Sequence, residues 1–187
     1  PLDASSLNFV FEIGAGAGMN LALLLRRQGC EKTGAVICDL PQTMMAGYVF
    51  LRSALPGFPI KFPHEFDPTN PMRPSQIQFI VPDQIADLPD DSFDLGINTN
   101  SFQEMELETV NDYLAHSARL LSTGGLFISN NSRNARYIEN NTLDRWDVSL
   151  FPEKILEREA IFLQANCGLD ARALHQGQGG VVTVWEK

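Results

Sequence analysis

The most constraining feature of the sequence is a glycine-rich turn that directly follows an apolar run. Residues 8–13 have the pattern of a buried strand, and Gly14, Gly16 and Gly18 follow at alternate positions. A Leu- and Ala-rich stretch then predicts a helix over residues 18–28, which ends at Gly29. Glycines permit a tight turn and let the backbone approach a ligand closely. A strand, a glycine turn and a helix in this order predict the first unit of a nucleotide-binding α/β domain.

The rest of the chain continues this alternation. Further strands are predicted at 34–38, 77–81, 93–98 and 125–129, and further helices at 41–55, 107–121 and 152–167. Strands and helices that alternate in this way predict a mostly parallel sheet with helices on both faces. Two strand-like runs, 169–175 and 181–185, are joined by a glycine-rich link and predict an antiparallel C-terminal hairpin. Residues 56–74 hold six of the 11 prolines and predict a long surface crossover.

An acidic residue, Asp39, closes the second predicted strand. A carboxylate at this point can accept two hydrogen bonds from the vicinal hydroxyls of a ribose. The structural alternative is an aspartate that begins the turn before Pro41. A dinucleotide fingerprint would require a third glycine at position 19, where the chain has Met19. A nicotinamide-dependent oxidoreductase is therefore the weaker interpretation of this nucleotide site.

Three further segments of the chain are informative: Asp-Leu-Pro at 39–41, Leu-Pro-Asp-Asp-Ser-Phe-Asp-Leu at 88–95 and Arg-Leu-Leu-Ser-Thr-Gly-Gly-Leu-Phe at 119–127. All three resemble segments of the class I S-adenosylmethionine-dependent methyltransferases. Within that superfamily, Ile-Asn-Thr-Asn-Ser-Phe-Gln-Glu-Met at 97–105, together with the Asp-Leu-Pro after the second predicted strand, is similar to the bacterial sugar O-methyltransferases. The resemblance implies a Rossmann-like methyltransferase sheet over residues 9–186 and S-adenosyl-L-methionine as the cofactor.

The resemblance also implies which residues bind the cofactor. The glycine turn and the acid before it would face the methionine and ribose parts of the cofactor. Asp39 would bind the ribose hydroxyls, and Leu40 would lie against one face of the adenine. Either Asp83 or Gln84 would lie at the adenine edge, although Asp83 is equally interpreted as a solvated turn acid. The implied set is Glu12, Gly14, Ala15, Gly16, Gly18, Asp39, Leu40, Asp83, Gln84 and, beside the methionine part, Asn98.

Methyl transfer is an in-line displacement, so a protein must mainly align the acceptor and exclude water. Glu104 follows the fourth predicted strand and is the candidate general base, although an acid there also favours the start of the next helix. His116 falls within that helix and is interpreted as structural. The candidates for acceptor binding are Asn130, Asn131, Arg133 and Trp146. The alternative is a polar loop anchored by one aromatic residue. No carboxylate cluster predicts a metal site.

Charge and hydropathy limit the classes of partner and the cellular location that the sequence predicts. A net charge of −9 without a basic run disfavours nucleic-acid and membrane-surface binding. The absence of a long apolar run and of a signal-peptide pattern predicts a cytoplasmic location. Three widely spaced cysteines predict no disulfide frame. We expect one catalytic domain over 1–187, cut from a longer polypeptide, because few residues precede the first strand.

The leading interpretation is an O-methyltransferase that acts on a sugar or a sugar-containing small molecule. The alternatives are a cofactor-binding module without a competent acceptor site and a methyltransferase for a non-sugar small molecule. The oligomeric state is not predicted.

Overall fold

A computed structural model describes residues 7–27, 29–133, 138, 140–160 and 180–187 of the chain. Within these residues, eight strands form one mixed sheet, and three α-helices and several short 3-10 helices connect them. In chain order the elements are β1 (Phe9–Ile13), α1 (Met19–Leu25), β2 (Gly34–Cys38), α2 (Pro41–Ala54), β3 (Ile60–Lys61), β4 (Ile77–Ile80), β5 (Phe93–Thr99), α3 (Leu107–Leu120), β6 (Leu121–Ser132), β7 (Glu153–Ala160) and β8 (Gly180–Glu186).

The strands lie side by side in the order β3-β4-β2-β1-β5-β6-β8-β7. From β3 to β6 in this order, each strand pairs in parallel with the next. β8 pairs antiparallel with both β6 and β7. The predicted α/β class, with a mostly parallel sheet and antiparallel C-terminal strands, is confirmed. The carboxyl ends of β1, β2, β4 and β5 meet at one edge of the sheet, where ligands bind in open α/β folds.

Alternate residues of the strands supply two separate apolar cores. Val10 and Ile37 pack with α1 and α2 on one face, whereas Phe11 and Val36 pack with α3 on the other. Side chains of successive strand residues point to opposite faces, so a fully apolar strand is buried twice. The sheet therefore has helices on both faces, as the sequence predicts.

The predicted helix over 152–167 is wrong where the structure describes it, because Glu153–Ala160 forms β7. Its glutamates, lysine and leucine favour a helix, but pairing with β8 along the sheet edge overrides local propensity. The antiparallel strand predicted at 181–185 is confirmed, and the strand that pairs with it beyond β6 is β7. The other strand of the predicted hairpin, 169–175, lies outside the described residues.

The proline-rich segment 56–74 crosses the surface as predicted, with only the two-residue edge strand β3 and a 3-10 turn at Pro63–Glu65. β6 is longer than predicted and extends to Ser132, so Asn130 and Asn131 lie in a strand rather than after it. Among the described residues, no helix is long and apolar enough to cross a membrane.

Candidate functional site

The glycine turn and the acid after β2 are in direct contact at the carboxyl edge of the sheet. The backbone N–H of Gly16 donates to Oδ2 of Asp39 at 2.9 Å, and that of Leu40 donates to Oδ1 at 2.7 Å. Each carboxylate oxygen has two lone pairs, so both keep an acceptor position for another donor. Asp39 is therefore held against the glycine turn with the capacity to bind two hydroxyl groups.

The backbone of the turn has the left-handed conformation at three positions, with φ of +64° at Gly14, +56° at Gly16 and +76° at Gly18. A Cβ at Gly14 would overlap with the side chain of Ser101, so the chain approaches β5 as closely as a glycine permits. A Cβ at Gly16 would meet nothing within 4 Å. The backbone at Gly16 therefore has an open side that a ligand can reach.

Glu12, the last residue but one of β1, is a buried acid beside this turn, with only 1% of its surface exposed. Its Oε1 accepts a hydrogen bond from Nδ2 of Asn20 at 3.1 Å, whereas its Oε2 is buried without a partner. Burial raises the pKa of Glu12 to about 7, and the nearby charge of Asp39 adds to that rise. Nδ2 of Asn20 also donates to Oγ1 of Thr99 at 3.1 Å. Sequence reasoning did not identify Asn20 or Thr99, which come together here from α1 and β5.

An apolar pocket of about 470 Å³ lies where α2 begins and β4 ends. Its lining consists of Pro41, Met44, Met45, Phe62, Pro63, His64 and Val81. Leu40, at the N-cap of α2, is half exposed. The pocket therefore adjoins the residue that follows Asp39 and offers an apolar surface to a flat ring.

The two candidates for the adenine edge differ in their surroundings. The side chain of Gln84 closes its own 3-10 turn, because Oε1 accepts from the N–H of Val81 at 3.0 Å and Nε2 donates to the carbonyl of Pro63 at 3.1 Å. Asp83 lies exposed on the same turn. Of the two, Asp83 has the freer side chain.

A buried amide pair connects the glycine turn to the end of β6. Asn98, fully buried, donates from Nδ2 to the carbonyl of Ile13 at 3.0 Å and to Oγ of Ser101 at 2.5 Å. Its Oδ1 accepts from Nδ2 of Asn131 at 2.7 Å, and Asn131 is only 2% exposed. Both side chains are occupied by these contacts, so Asn131 lies beneath the surface instead of facing an acceptor.

The predicted base, Glu104, is exposed at the end of a 3-10 turn, Phe102–Glu104. Hydrogen bonds with two asparagine side chains hold the backbone of this turn. Oδ1 of Asn131 accepts from the N–H of Gln103 at 3.3 Å, and Nδ2 of Asn141 donates to the carbonyls of Phe102 and Met105, both at 2.7 Å. Glu104 therefore extends from a fixed backbone at the carboxyl end of β5.

The remaining acceptor candidates are not gathered into one cluster. Trp146 is 6% exposed, its ring packs edge-on against Phe102 at 5.5 Å, and Nε1 donates to Oδ1 of Asn141 at 2.8 Å. The indole of Trp146 is therefore a core residue in this arrangement, and it presents no exposed ring face to an acceptor. Arg133 is paired with Asp144 and Glu157 at 3.4 and 3.0 Å.

Among the candidates for binding the methyl acceptor, Asn130 has unused hydrogen-bonding capacity, because its Oδ1 is buried without a partner. The described residues contain no group of three or more His, Cys, Asp or Glu side chains placed to hold a metal ion.

Comparison with protein-family models finds no match, and comparison with curated protein sequences finds none. Solved structures do match. An S-adenosylmethionine-dependent methyltransferase from Mesorhizobium loti is 15% identical, with a TM-score of 0.63 over 100% of this chain and 94% of that one. The N-methyltransferase NodS from Bradyrhizobium japonicum, bound to S-adenosyl-L-homocysteine, is 12% identical, with a TM-score of 0.63 over 97% and 78%.

A geranyl diphosphate methyltransferase bound to its diphosphate substrate and sinefungin is 13% identical, with a TM-score of 0.65 over 100% of this chain and 74% of that one. At these identities the likeness concerns the fold. The chain has the same α/β fold as these methyltransferases.

Proposed function

We propose that this chain is an S-adenosylmethionine-dependent methyltransferase that transfers a methyl group to a hydroxyl of a sugar or a sugar-containing small molecule. The observation that carries the cofactor assignment is the hydrogen bond between the N–H of Gly16 and Oδ2 of Asp39 at 2.9 Å. It joins the open glycine turn and the acid into one surface, with acceptor positions left for the two hydroxyls of a ribose.

The neighbouring residues fit the other parts of the cofactor. Glu12 Oε2 is a buried acceptor without a donor, which suits the ammonium group of the methionine end. The apolar pocket and Leu40 suit the adenine ring, and Asp83 suits its amino edge. A pyrophosphate would bring negative charge beside the carboxylate of Asp39 and is disfavoured for that reason.

When bound, the cofactor would supply an electrophilic methyl group on a sulfonium. The chain's own residues would then align the hydroxyl oxygen of the acceptor with that methyl group and remove the hydroxyl proton. We assign proton removal to Glu104, because its turn is fixed by Asn131 and Asn141 beside the glycine turn. Asn130 and Arg133 are proposed to orient the acceptor. The sugar assignment rests on the resemblance of segment 97–105.

A second candidate is a cofactor-binding module without methyl transfer, and the burial of Trp146 and Asn131 favours it. Two of the four predicted acceptor contacts are thereby unavailable at the surface. An acceptor that is not a sugar is a third possibility, since solved neighbours of the same fold include an N-methyltransferase and a geranyl diphosphate methyltransferase.

Calorimetric titration followed by a product screen tests the proposal. We expect S-adenosylmethionine and S-adenosylhomocysteine to bind and NAD to bind far more weakly. Incubation with labelled S-adenosylmethionine and panels of glycosides, nucleotide sugars, amines and prenyl diphosphates should label a glycoside or a nucleotide sugar. Cofactor binding with no labelled product in any panel would favour the module, and labelling in a non-sugar panel would refute the sugar assignment. Preferential binding of NAD would refute the cofactor assignment.

A further inference from the structure

The buried acid of β1 has an environment that a permanently charged carboxylate would not tolerate. Glu12 is 1% exposed, and its Oε2 lies in the protein without a hydrogen-bond donor. Desolvation penalises the charged form of a carboxyl, so a group of this kind holds its proton until a compensating charge arrives.

The groups that face Glu12 supply no such charge. From α1 come the amide of Asn20 and the backbone N–H of Leu21, both neutral donors, and β5 contributes the hydroxyl of Thr99 through Asn20. The charged group that acts on Glu12 from β2 is Asp39, which is an acid and opposes ionisation. Within the described part of the chain, no lysine, arginine or histidine is paired with Glu12.

We infer that Glu12 couples binding of the cofactor's amino-acid end to the loss of a proton and thereby selects for ligands that carry an ammonium group. In the free protein the carboxyl is about half protonated at neutral pH and largely protonated below it. When the ligand ammonium arrives, the proton leaves to the solvent and the resulting carboxylate pairs with the ammonium. The inference rests on the proposed cofactor, but concerns how this chain discriminates among adenosyl compounds.

The structure sets the size of the effect. Burial brings the pKa of Glu12 to about 7 in the free protein. An opposite charge in contact lowers a carboxyl pKa by about 1 to 3, and we expect the ligand ammonium to lower the pKa of Glu12 by about 2. The affinity for S-adenosylhomocysteine should then fall about twentyfold from pH 7.5 to pH 5.5. About half a proton should be released per ligand at pH 7, and about 0.8 at pH 6.

The test is calorimetric titration of the whole chain with S-adenosylhomocysteine from pH 5.5 to 7.5, in pairs of buffers with different ionisation enthalpies. We expect the fall in affinity and the proton release given above. Glu12→Gln keeps the shape of the side chain without the titration, so its affinity should be nearly constant over this range. 5′-Methylthioadenosine has the same adenosyl thioether without an ammonium, and its affinity should stay constant or rise toward low pH.

A second variant protects the test against a folding defect at position 12. The hydrogen bond from Asn20 lowers the pKa of Glu12, so Asn20→Ala should move the midpoint of the affinity change to higher pH. Proton-free binding by the wild type would overturn the inference. So would a Glu12→Gln profile equal to the wild type, or a fall in 5′-methylthioadenosine affinity that parallels that of S-adenosylhomocysteine. If S-adenosylhomocysteine bound at no pH, the proposed function itself would be refuted.

Discussion

Replacement of Gly14 by alanine tests the close approach between the glycine turn and the end of β5. Two costs add. The residue has φ of +64°, and an L-residue in the left-handed region costs about 1 to 2 kcal/mol. The new Cβ would also lie well inside 3.0 Å of both the Oγ and the Cβ of Ser101, and overpacking of this kind costs about 1 to 3 kcal/mol. We expect Gly14→Ala to lower the free energy of unfolding by about 2 to 5 kcal/mol.

A double-mutant cycle separates the two costs. Ser101→Gly removes both overlapping atoms, and the Cα that remains lies 3.9 Å from the new Cβ, which is ordinary contact. In that background, Gly14→Ala should cost only the backbone term of about 1 to 2 kcal/mol, so the coupling energy equals the overlap, about 1 to 3 kcal/mol. Gly57→Ala is the matched control, because a Cβ there meets nothing within 4 Å and the change should stay within about 0.5 kcal/mol.

Urea denaturation followed by circular dichroism measures all five proteins, with the midpoint and slope fitted together. A Gly14→Ala protein as stable as Gly57→Ala would refute the predicted cost. An equal cost of Gly14→Ala in both backgrounds would show that the contact with Ser101 carries none of the penalty.

Three further predictions concern the acids of the site. Asp39→Asn should weaken S-adenosylhomocysteine binding by about 2 kcal/mol, or about thirtyfold in calorimetry, because charge-assisted bonds to the ribose become neutral; an unchanged Kd would remove Asp39 from the site. Glu104→Gln should lower kcat by about 10² to 10⁴ while the affinity for S-adenosylhomocysteine changes less than about twofold, and an undiminished kcat would show that another group takes the proton. Burial raises the pKa of Glu12 to about 7, against an ordinary 4.5, so the folded state binds the proton more tightly than the unfolded state. The contribution of Glu12 to the free energy of unfolding is therefore lost as pH rises from 4.5 through 7. Chemical denaturation of Glu12→Gln should therefore show a gain over the wild type that grows by about 3 kcal/mol from pH 4.5 to pH 8, and parallel pH profiles would contradict the burial argument.

Strands β1 and β2 and the glycine turn that follows β1 were predictable because their determinants are local. A fully apolar strand, alternate glycines and an acid at the end of the next strand are all visible within about 30 residues. The contact between Gly16 and Asp39 follows from parallel pairing of β1 with β2, which the alternation of strands and helices already implies.

The burial of Glu12 was only partly visible. An acid within Phe-Val-Phe-Glu-Ile indicates a special position, but its orphan oxygen depends on Asn20 and Thr99, which α1 and β5 bring together. The shift in its pKa is a property of that assembly and not of the segment.

The errors share a cause, which is that long-range pairing outweighs local preference. Glu153–Ala160 is rich in helix formers yet pairs with β8, some 25 residues away. The sequence predicts acceptor contacts at Asn131 and Trp146 because both lie in a polar stretch after the fifth predicted strand. Their partners, Asn98 and Asn141, bury them through hydrogen bonds that no spacing in the sequence indicates.

The position of β8 between β6 and β7 has a consequence for folding during synthesis. β8 follows both β6 and β7 in the chain but lies between them in the sheet, so each of these strands has an unpaired edge until β8 has been synthesised. Exposed edges are templates for association with other chains, and late, distant pairing slows folding. The nascent chain therefore passes through a stage in which the edges of β6 and β7 that β8 will cover are open to association with other chains.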